Sequence, residues 1–199
     1  MSIRRERRDA VEHRKLILQT AQQLFHQHGV QPVSMHQIAK TAGIGQATLY
    51  RRYAHKGDLC MAMLVDFAGS LAERVEAFLE SHRSSSPLDR VSGIVDAWID
   101  AIEEQSELIL EMESYTSCDS ERGNFFLSPL YRFFCDKFSS VFDEIAEAKR
   151  STAIDGEFAA HAMICALSPM GYFHLKQGKG MSTEEIKQHY RRMTEMFLS

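Results

Sequence analysis

The stretch Ser34–Leu59, SMHQIAKTAGIGQATLYRRYAHKGDL, decides the fold. Ser34 with Gln37 three positions on reads as a capping box, opening a short helix over Ser34–Thr41. Gly43 suits the tight turn that follows, because only glycine takes positive φ without strain. A second short helix is expected over Gln46–Tyr53. At about 100° per residue, Leu49 and Tyr53 point the same way and should pack inward. Arg51 and Ala47 lie opposite them with Thr48 close by, while Tyr50 and Arg52 project from the two flanks. Gln46 falls nearer the core.

Upstream, a first helix is expected over about residues 10–28. Its Ile17, Ala21, Leu24 and Phe25 form one apolar stripe, and Gly29 stands where a left-handed cap would end it. Three short helices separated by a glycine turn, the third rich in Arg and Tyr, describe a helix-turn-helix unit. A helix laid in a major groove needs this layout, with central side chains on base edges and flanking ones on the phosphate walls. Lys56 and the amides opening the next helix offer a place for a phosphate, and so does the helix start at Ser34.

Charge supports a polyanionic partner. The 199 residues carry a net −4, yet residues 1–57 hold ten Lys/Arg against three Asp/Glu, and residues 58–199 hold thirteen against twenty-four. A basic N-terminal part and an acidic, soluble remainder follow. Arg4, Arg5, Arg7 and Arg8 read as a flexible basic arm over 1–9, of the kind that enters a minor groove or adds nonspecific attraction.

Beyond residue 55 the helical period persists, and no alternating strand appears. A helix over about Lys56–Ser81 carries Leu59, Met63, Phe67, Leu71, Val75 and Phe78 at spacings of four and three. Ser86-Pro87 opens a helix to about Glu104, and SELILEMESYT forms a shorter one. A loop is expected over Ser117–Leu127, then helices from Ser128-Pro129 to about Lys149, near Asp155–Gln177, and near Ser182–Leu198. The fold class is all-α, about nine helices in two parts. Residues 1–55 form the helix-turn-helix domain and residues 56–199 a helical ligand-binding and dimerisation domain.

The run AQQLFHQHGVQPVSMHQIAKTAGIGQATLYRRYAHKGDL closely resembles the DNA-binding region of TetR-family transcriptional regulators. The resemblance covers roughly residues 14–60 and includes Phe25, Gly29, Ile38, Ala39, Ala42, Gly43, Thr48, Leu49, Tyr50, Tyr53, Lys56 and Leu59. It implies that Tyr50 and Lys56 contact phosphates and that Gln46, Ala47, Thr48 and Arg51 face the groove. Arg52 stands where the family often has His or Tyr, which adds charge. Ala47 stands where Gly is common, which permits contact with a thymine methyl. Residues 61–199 match only in length and helical layout, as the family's divergent ligand domain would.

A helix-turn-helix of this size binds as a dimer on two half-sites. The segment from Ala159 to Phe173 is apolar nearly all round, more than a monomer of this size can cover. Ala159, Ala162, Ala166, Met170, Tyr190, Met193 and Phe197 are the expected interface; the resemblance implies that the last two helices pair with their symmetry mates. A small-molecule effector is expected between helices of the acidic half, with Phe67, Trp98, Ile102, Met112, Tyr115, Phe134, Phe138, Met163 and His174 as candidates. The expected partners are therefore a palindromic duplex operator, an effector and a second copy, with no membrane.

No nucleophile triad, carboxylate pair, phosphate loop or metal-ligand spacing is recognisable, so neither an enzyme nor a cofactor or metal is expected. His161 and His174 lie too far apart to share a metal on one helix. Cys60, Cys118, Cys135 and Cys165 are scattered, as reduced cytoplasmic thiols are. MSIRRERRDAVEHRK is followed by no apolar run, so no signal peptide is expected. The leading functional expectation is a homodimeric repressor released by its ligand. The alternatives are a DNA-binding architectural or accessory protein without sensing, and an activator of the same fold.

Overall fold

The computed structural model describes residues 2–116, 125–149 and 155–198, with side chains over 11–114, 125–148 and 155–196. Among these residues there are ten α-helices and no strand. The chain divides into two compact units. The first is Met1–Asp66 with Ser106–Ser120, and the second is Phe67–Gln105 with Glu121–Ser199. The N-terminal unit thus runs past residue 55 and takes in a segment that sequence reading gave to the acidic half.

Unit 1 holds α1 (Ser2–His28), α2 (Met35–Thr41), α3 (Gln46–Arg52), the start of α4 (Lys56–Ser81) and α6 (Ser106–Thr116). The expected stripe of α1 is its inner face: Ile17 and Ala21 are fully buried, Leu24 and Phe25 nearly so. They meet Ile38 and Ala39 of α2, Leu49 of α3, Leu59 of α4 and Leu108 of α6 in one cluster. Each large apolar side chain fully buried there contributes roughly 1.5–3 kcal/mol. Gly29 (φ +79°) and Gly43 (φ +65°) take the left-handed conformations that the turns require. Ser34 Oγ accepts from Gln37 N at 3.2 Å, one half of the expected box.

The first helix starts earlier than expected. Its backbone is helical from Ser2, where a flexible arm over 1–9 was anticipated. No glycine or proline interrupts residues 2–28, and Arg, Glu, Leu and Gln all favour helix. The side chains of Arg4, Arg5, Arg7 and Arg8 lie outside the described residues.

Unit 2 holds the rest of α4, then α5 (Pro87–Glu104), a 3-10 turn (Phe125–Leu127), α7 (Pro129–Lys149), α8 (Gly156–Ala166), α9 (Pro169–Phe173) running into a π turn (His174–Gly178), and α10 (Thr183–Leu198). Trp98, Phe134, Phe138 and Phe142 stack through its centre, with ring centroids 4.4–6.3 Å apart. Asp96 and Asp100 of α5 pair with Arg191 and Lys187 of α10, fixing the register of those two helices. Ser182 and Glu185 form a complete capping box: Glu185 N donates to Ser182 Oγ at 3.2 Å, and Ser182 N to Glu185 Oε2 at 2.8 Å.

The single helix expected near Asp155–Gln177 is two. Pro169 has no N–H and its ring would clash with the preceding turn, so α8 stops at Ala166. Ser168 Oγ then caps α9 by accepting from Gly171 N at 3.2 Å. Of the loop expected over Ser117–Leu127, the last three residues form the 3-10 turn, and residues 117–124 lie outside the described residues. No helix among the described residues is long and apolar enough to cross a membrane.

Candidate nucleic-acid interface

Helix α3 divides as its periodicity requires. Leu49 is fully buried and Tyr53, just past the helix, is 7 % exposed, so this face is spent on the core. Gln46, Ala47, Tyr50, Arg51 and Arg52 are exposed and Thr48 is half-buried. Gln46 is therefore on the open side, although the helical wheel had turned it toward the core; at the first residue of a helix no preceding turn covers it. Burial raises the Tyr53 hydroxyl above its usual pKa despite Arg14 and Arg52 nearby. That keeps it a neutral packing group.

Ser34 is exposed at the start of α2, its oxygen engaged by the backbone of Gln37. Helix α2 buries Met35, Ile38 and Ala39 and leaves His36 and Lys40 outward. Sequence reading missed both outward residues, though their spacing of four on the polar face of a short helix was a legible sign. His36 Nδ1 meets the side-chain Nε2 of Gln46, joining the two short helices on their open side.

Lys56 is the main correction. It was expected to meet a phosphate, but its ammonium points inward and the side chain is 10 % exposed. Nζ donates to the carbonyls of Val30 (2.9 Å), Gln31 (3.1 Å) and Val33 (3.2 Å) and pairs with Glu111 Oε1 at 3.2 Å. Four oxygens already satisfy a three-donor group. In the first turn of α4, Asp58 N donates to His55 Nδ1 at 3.3 Å, and the Asp58 carboxylate accepts from Ala54 N, just before the helix, at 2.9 Å. An acid sits where a phosphate was expected.

Glu111 and Glu107 are residues of α6 that sequence reading did not single out. Glu107 Oε2 accepts from Val30 N at 2.8 Å, and Gln31 Nε2 donates to Glu111. Two carboxylates of α6 thereby hold the link between α1 and α2. Cys60 lies beside this network, and burial, reinforced by Glu111, pushes its thiol up to about 12, so it is unreactive at neutral pH.

The expected ligand set separates. Trp98, Ile102, Phe134, Phe138 and Met163 are all buried in unit 2. Trp98 packs edge-on to Phe134 at 4.4 Å and donates Nε1–H to Leu167 O at 2.8 Å. Phe134 in turn packs on Phe138, with ring centroids 6.3 Å apart. Phe67 is half-buried under the Arg74 guanidinium, Met112 packs on the core of unit 1, and His174 is exposed on the π turn. The Tyr115 side chain lies outside the described residues. Concave surfaces of unit 2 include a groove lined by Asp136, Asp143, Glu144 and Glu147 and another lined by Glu76, Arg83, Arg90 and Lys137. The first is polar, the second is mixed with Ala77, Leu79 and Val141 in its wall, and neither contains a candidate.

Of the expected interface, Ala162, Ala166 and Met170 are exposed and Ala159, Tyr190 and Met193 half-buried. Phe158 (71 % exposed) and Met196 (79 %) extend this apolar face, while the Phe197 side chain lies outside the described residues.

Residues 17–63 match the family described as bacterial regulatory proteins, tetR family. An HTH-type transcriptional regulator of Staphylococcus aureus (strain bovine RF122 / ET3-1) is 35 % identical over 86 residues, 43 % of this chain and 46 % of that protein. Another, from Staphylococcus aureus (strain USA300), is 50 % identical over 54 residues, 27 % of this chain and 29 % of its own. The aligned part is thus less than half the length of either relative. The whole helical architecture recurs in Thermus thermophilus FadR, a TetR-family transcriptional repressor in complex with lauroyl-CoA, with a TM-score of 0.66 at 15 % identity over 91 % of this chain and 92 % of that one. It recurs too in a SmeT–triclosan complex, with a TM-score of 0.58 at 16 % identity over 92 % and 90 % of the two chains. Its helix-turn-helix segment is thus similar to that of the TetR family of bacterial regulatory proteins, and its helical fold is shared with a TetR-family repressor.

Proposed function

We propose that the protein binds duplex operator DNA as a homodimer and represses transcription until a small molecule releases it. The observation that carries this reading is α3. Its apolar face is spent on the core, and Gln46, Ala47, Tyr50, Arg51 and Arg52 stand clear on the other. Arg51 and Ala47 suit base edges, while Tyr50 and Arg52, with Ser34 and Lys40 of α2, suit phosphates. The open apolar face of α8 and α10 supports the homodimer, because two copies would cover it and set the half-site spacing.

A dimer making about 6–10 phosphate contacts should show a slope of log K against log salt near −5 to −9. Fluorescence anisotropy on duplexes across a salt series measures it. Absence of binding to any duplex at low salt removes the reading. Ala162→Glu, at the centre of the apolar face, should yield monomers in sedimentation and weaken operator binding at least tenfold. A variant that stays dimeric means that another face pairs.

Ligand release draws support from the proteins of similar fold that carry lauroyl-CoA or triclosan. In this chain an effector lodged beside the Trp98–Phe134–Phe138 cluster would favour an arrangement with poorer operator affinity. The ring-to-ring packing of Trp98, Phe134 and Phe138 favours a second reading, a DNA-binding protein without sensing. Operator affinity measured across long-chain acyl thioesters and chlorinated phenols separates the two; insensitivity to every compound that binds the protein selects the second.

A further inference from the structure

We infer that Cys165 is a modification site for conjugated carbonyl compounds, with His161 as the base that takes its thiol proton and Tyr131 as the positioning residue that holds the imidazole. The site stands on its own geometry. Its consequence for DNA binding rests on the homodimer reading above.

Helix α8 carries His161 and Cys165 four residues apart, so they lie one above the other on the same side. Cys165 is exposed, and its Sγ lies 3.6 Å from His161 Nε2. The other ring nitrogen, Nδ1, lies 2.8 Å from the Tyr131 hydroxyl on α7. Cys135, also on α7, donates its thiol hydrogen to the same oxygen at 3.7 Å. Glu157, a turn before His161, is a carboxylate whose charge reaches that hydroxyl. The rings of Phe126 and Tyr131 flank the imidazole, with centroids 5.7 and 6.1 Å from it.

A nucleophile, a base within reach of its proton and a third group that orients the base are the parts that covalent chemistry at a side chain needs. The hydrogen bond at one imidazole nitrogen decides what the other offers. With Nδ1–H given to the Tyr131 oxygen, Nε2 presents a lone pair to the thiol. Nε2 takes the Cys165 proton, and Sγ forms a bond to the β-carbon of the conjugated carbonyl. The C=C π pair moves to the α-carbon, which receives the proton back from Nε2–H. One S–H and one C=C π bond are lost, one C–S and one C–H bond are gained, and nothing is oxidised. The flanking aromatic rings favour a flat electrophile. Cys60, buried among apolar side chains, offers none of this.

Position gives the adduct its consequence. Cys165 is three residues from Ala162 and seven from Phe158, and all three are exposed on α8. An adduct and a second copy therefore compete for one side of the helix.

The experiment is timed labelling of the dilute full chain with N-ethylmaleimide, read by peptide mass mapping. It uses a Cys118→Ser background, because residue 118 lies outside the described residues. Cys165 should label ahead of Cys135 and Cys60. His161→Ala should slow that step about tenfold near pH 7. The gap should close above about pH 10, where a thiol ionises without a base. Tyr131→Phe should slow it less, with the same closure. N-phenylmaleimide should gain on N-ethylmaleimide relative to their rates with glutathione, and Phe126→Ala should remove the gain. Labelled protein should sediment as monomers and lose operator affinity at least tenfold, whereas Cys165→Ser exposed to the reagent should keep the affinity it had before. Labelling of Cys165 no faster than Cys135, or a rate at pH 7 untouched by His161→Ala, overturns the site. Selective labelling that leaves dimer and operator affinity intact overturns the consequence. Unlabelled protein that already sediments as monomers overturns the homodimer reading, and the consequence with it.

Discussion

Glu111→Ala is expected to destabilise the N-terminal unit by roughly 3–5 kcal/mol, the cost of leaving one member of a buried ion pair uncompensated. Glu111 is 3 % exposed and Lys56 9 %, so water cannot take over the missing charge. Lys56 would keep its three carbonyls, yet these carry only partial charge, and Gln31 would lose its acceptor as well. Glu111→Gln retains an acceptor and should cost less. Lys56→Met combined with Glu111→Leu removes both charges and should recover most of the loss, since well-packed apolar replacements of buried pairs are often neutral or better. Urea unfolding at one fixed protein concentration measures all four proteins. A loss below about 1 kcal/mol for Glu111→Ala would mean that the pair is solvated in solution and its burial here unimportant.

The same pair explains why α6 belongs with the reading head. The link from Val30 to Val33 sets where α2 begins, and it has no helix of its own to satisfy its backbone groups. Lys56 collects three of its carbonyls, Glu107 takes the Val30 amide, and Glu111 neutralises the lysine. Loosening α6 would therefore free backbone groups at the base of α2 as well as a cation. The stability effect of Glu111→Ala and any change in operator affinity should accordingly appear together.

Local signals carried much of this structure into the sequence. Ser34, Gly43, Ser86-Pro87 and Ser128-Pro129 each announce a helix start or a turn through chemistry confined to a few residues, and the helices open where those signals stand. Ser168-Pro169 is the same signal, passed over because the surrounding residues are uniformly apolar. Period alone does not separate one long buried helix from two short ones. The inward face of α3 was legible because Leu49 and Tyr53 are four apart. The inward turn of Lys56 was not, since its partners come from residues 30–33 and from residue 111, separations that no local pattern encodes. The aromatic candidates for a ligand wall were less legible for a related reason. A Trp or Phe at helical spacing says that it is buried, not whether space remains beside it.

The Arg51→Ala, Arg52→Ala double variant should abolish specific operator binding under moderate salt, and its salt slope should reveal how the two residues divide the work. Both side chains are exposed at the end of α3. In a homodimer four positive charges are removed. If both residues met phosphates, the slope would shrink by about 3.6, at roughly 0.9 per phosphate contact. If Arg51 reads a base edge and Arg52 alone meets phosphate, the shrinkage is about 1.8. Arg51→Ala by itself should then relax preference at one position by about 1–3 kcal/mol per half-site, with the slope nearly unchanged. Arg52→Ala should weaken every sequence alike. Lys56→Gln supplies the contrast, because a buried cation releases no counterion from DNA; it should lower stability and leave the slope of the remaining folded protein where it was. A slope that shrinks by about 1.8 for Lys56→Gln as well would mean that the lysine swings out to the backbone when DNA binds, and that the buried pair with Glu111 is the resting position of a phosphate contact.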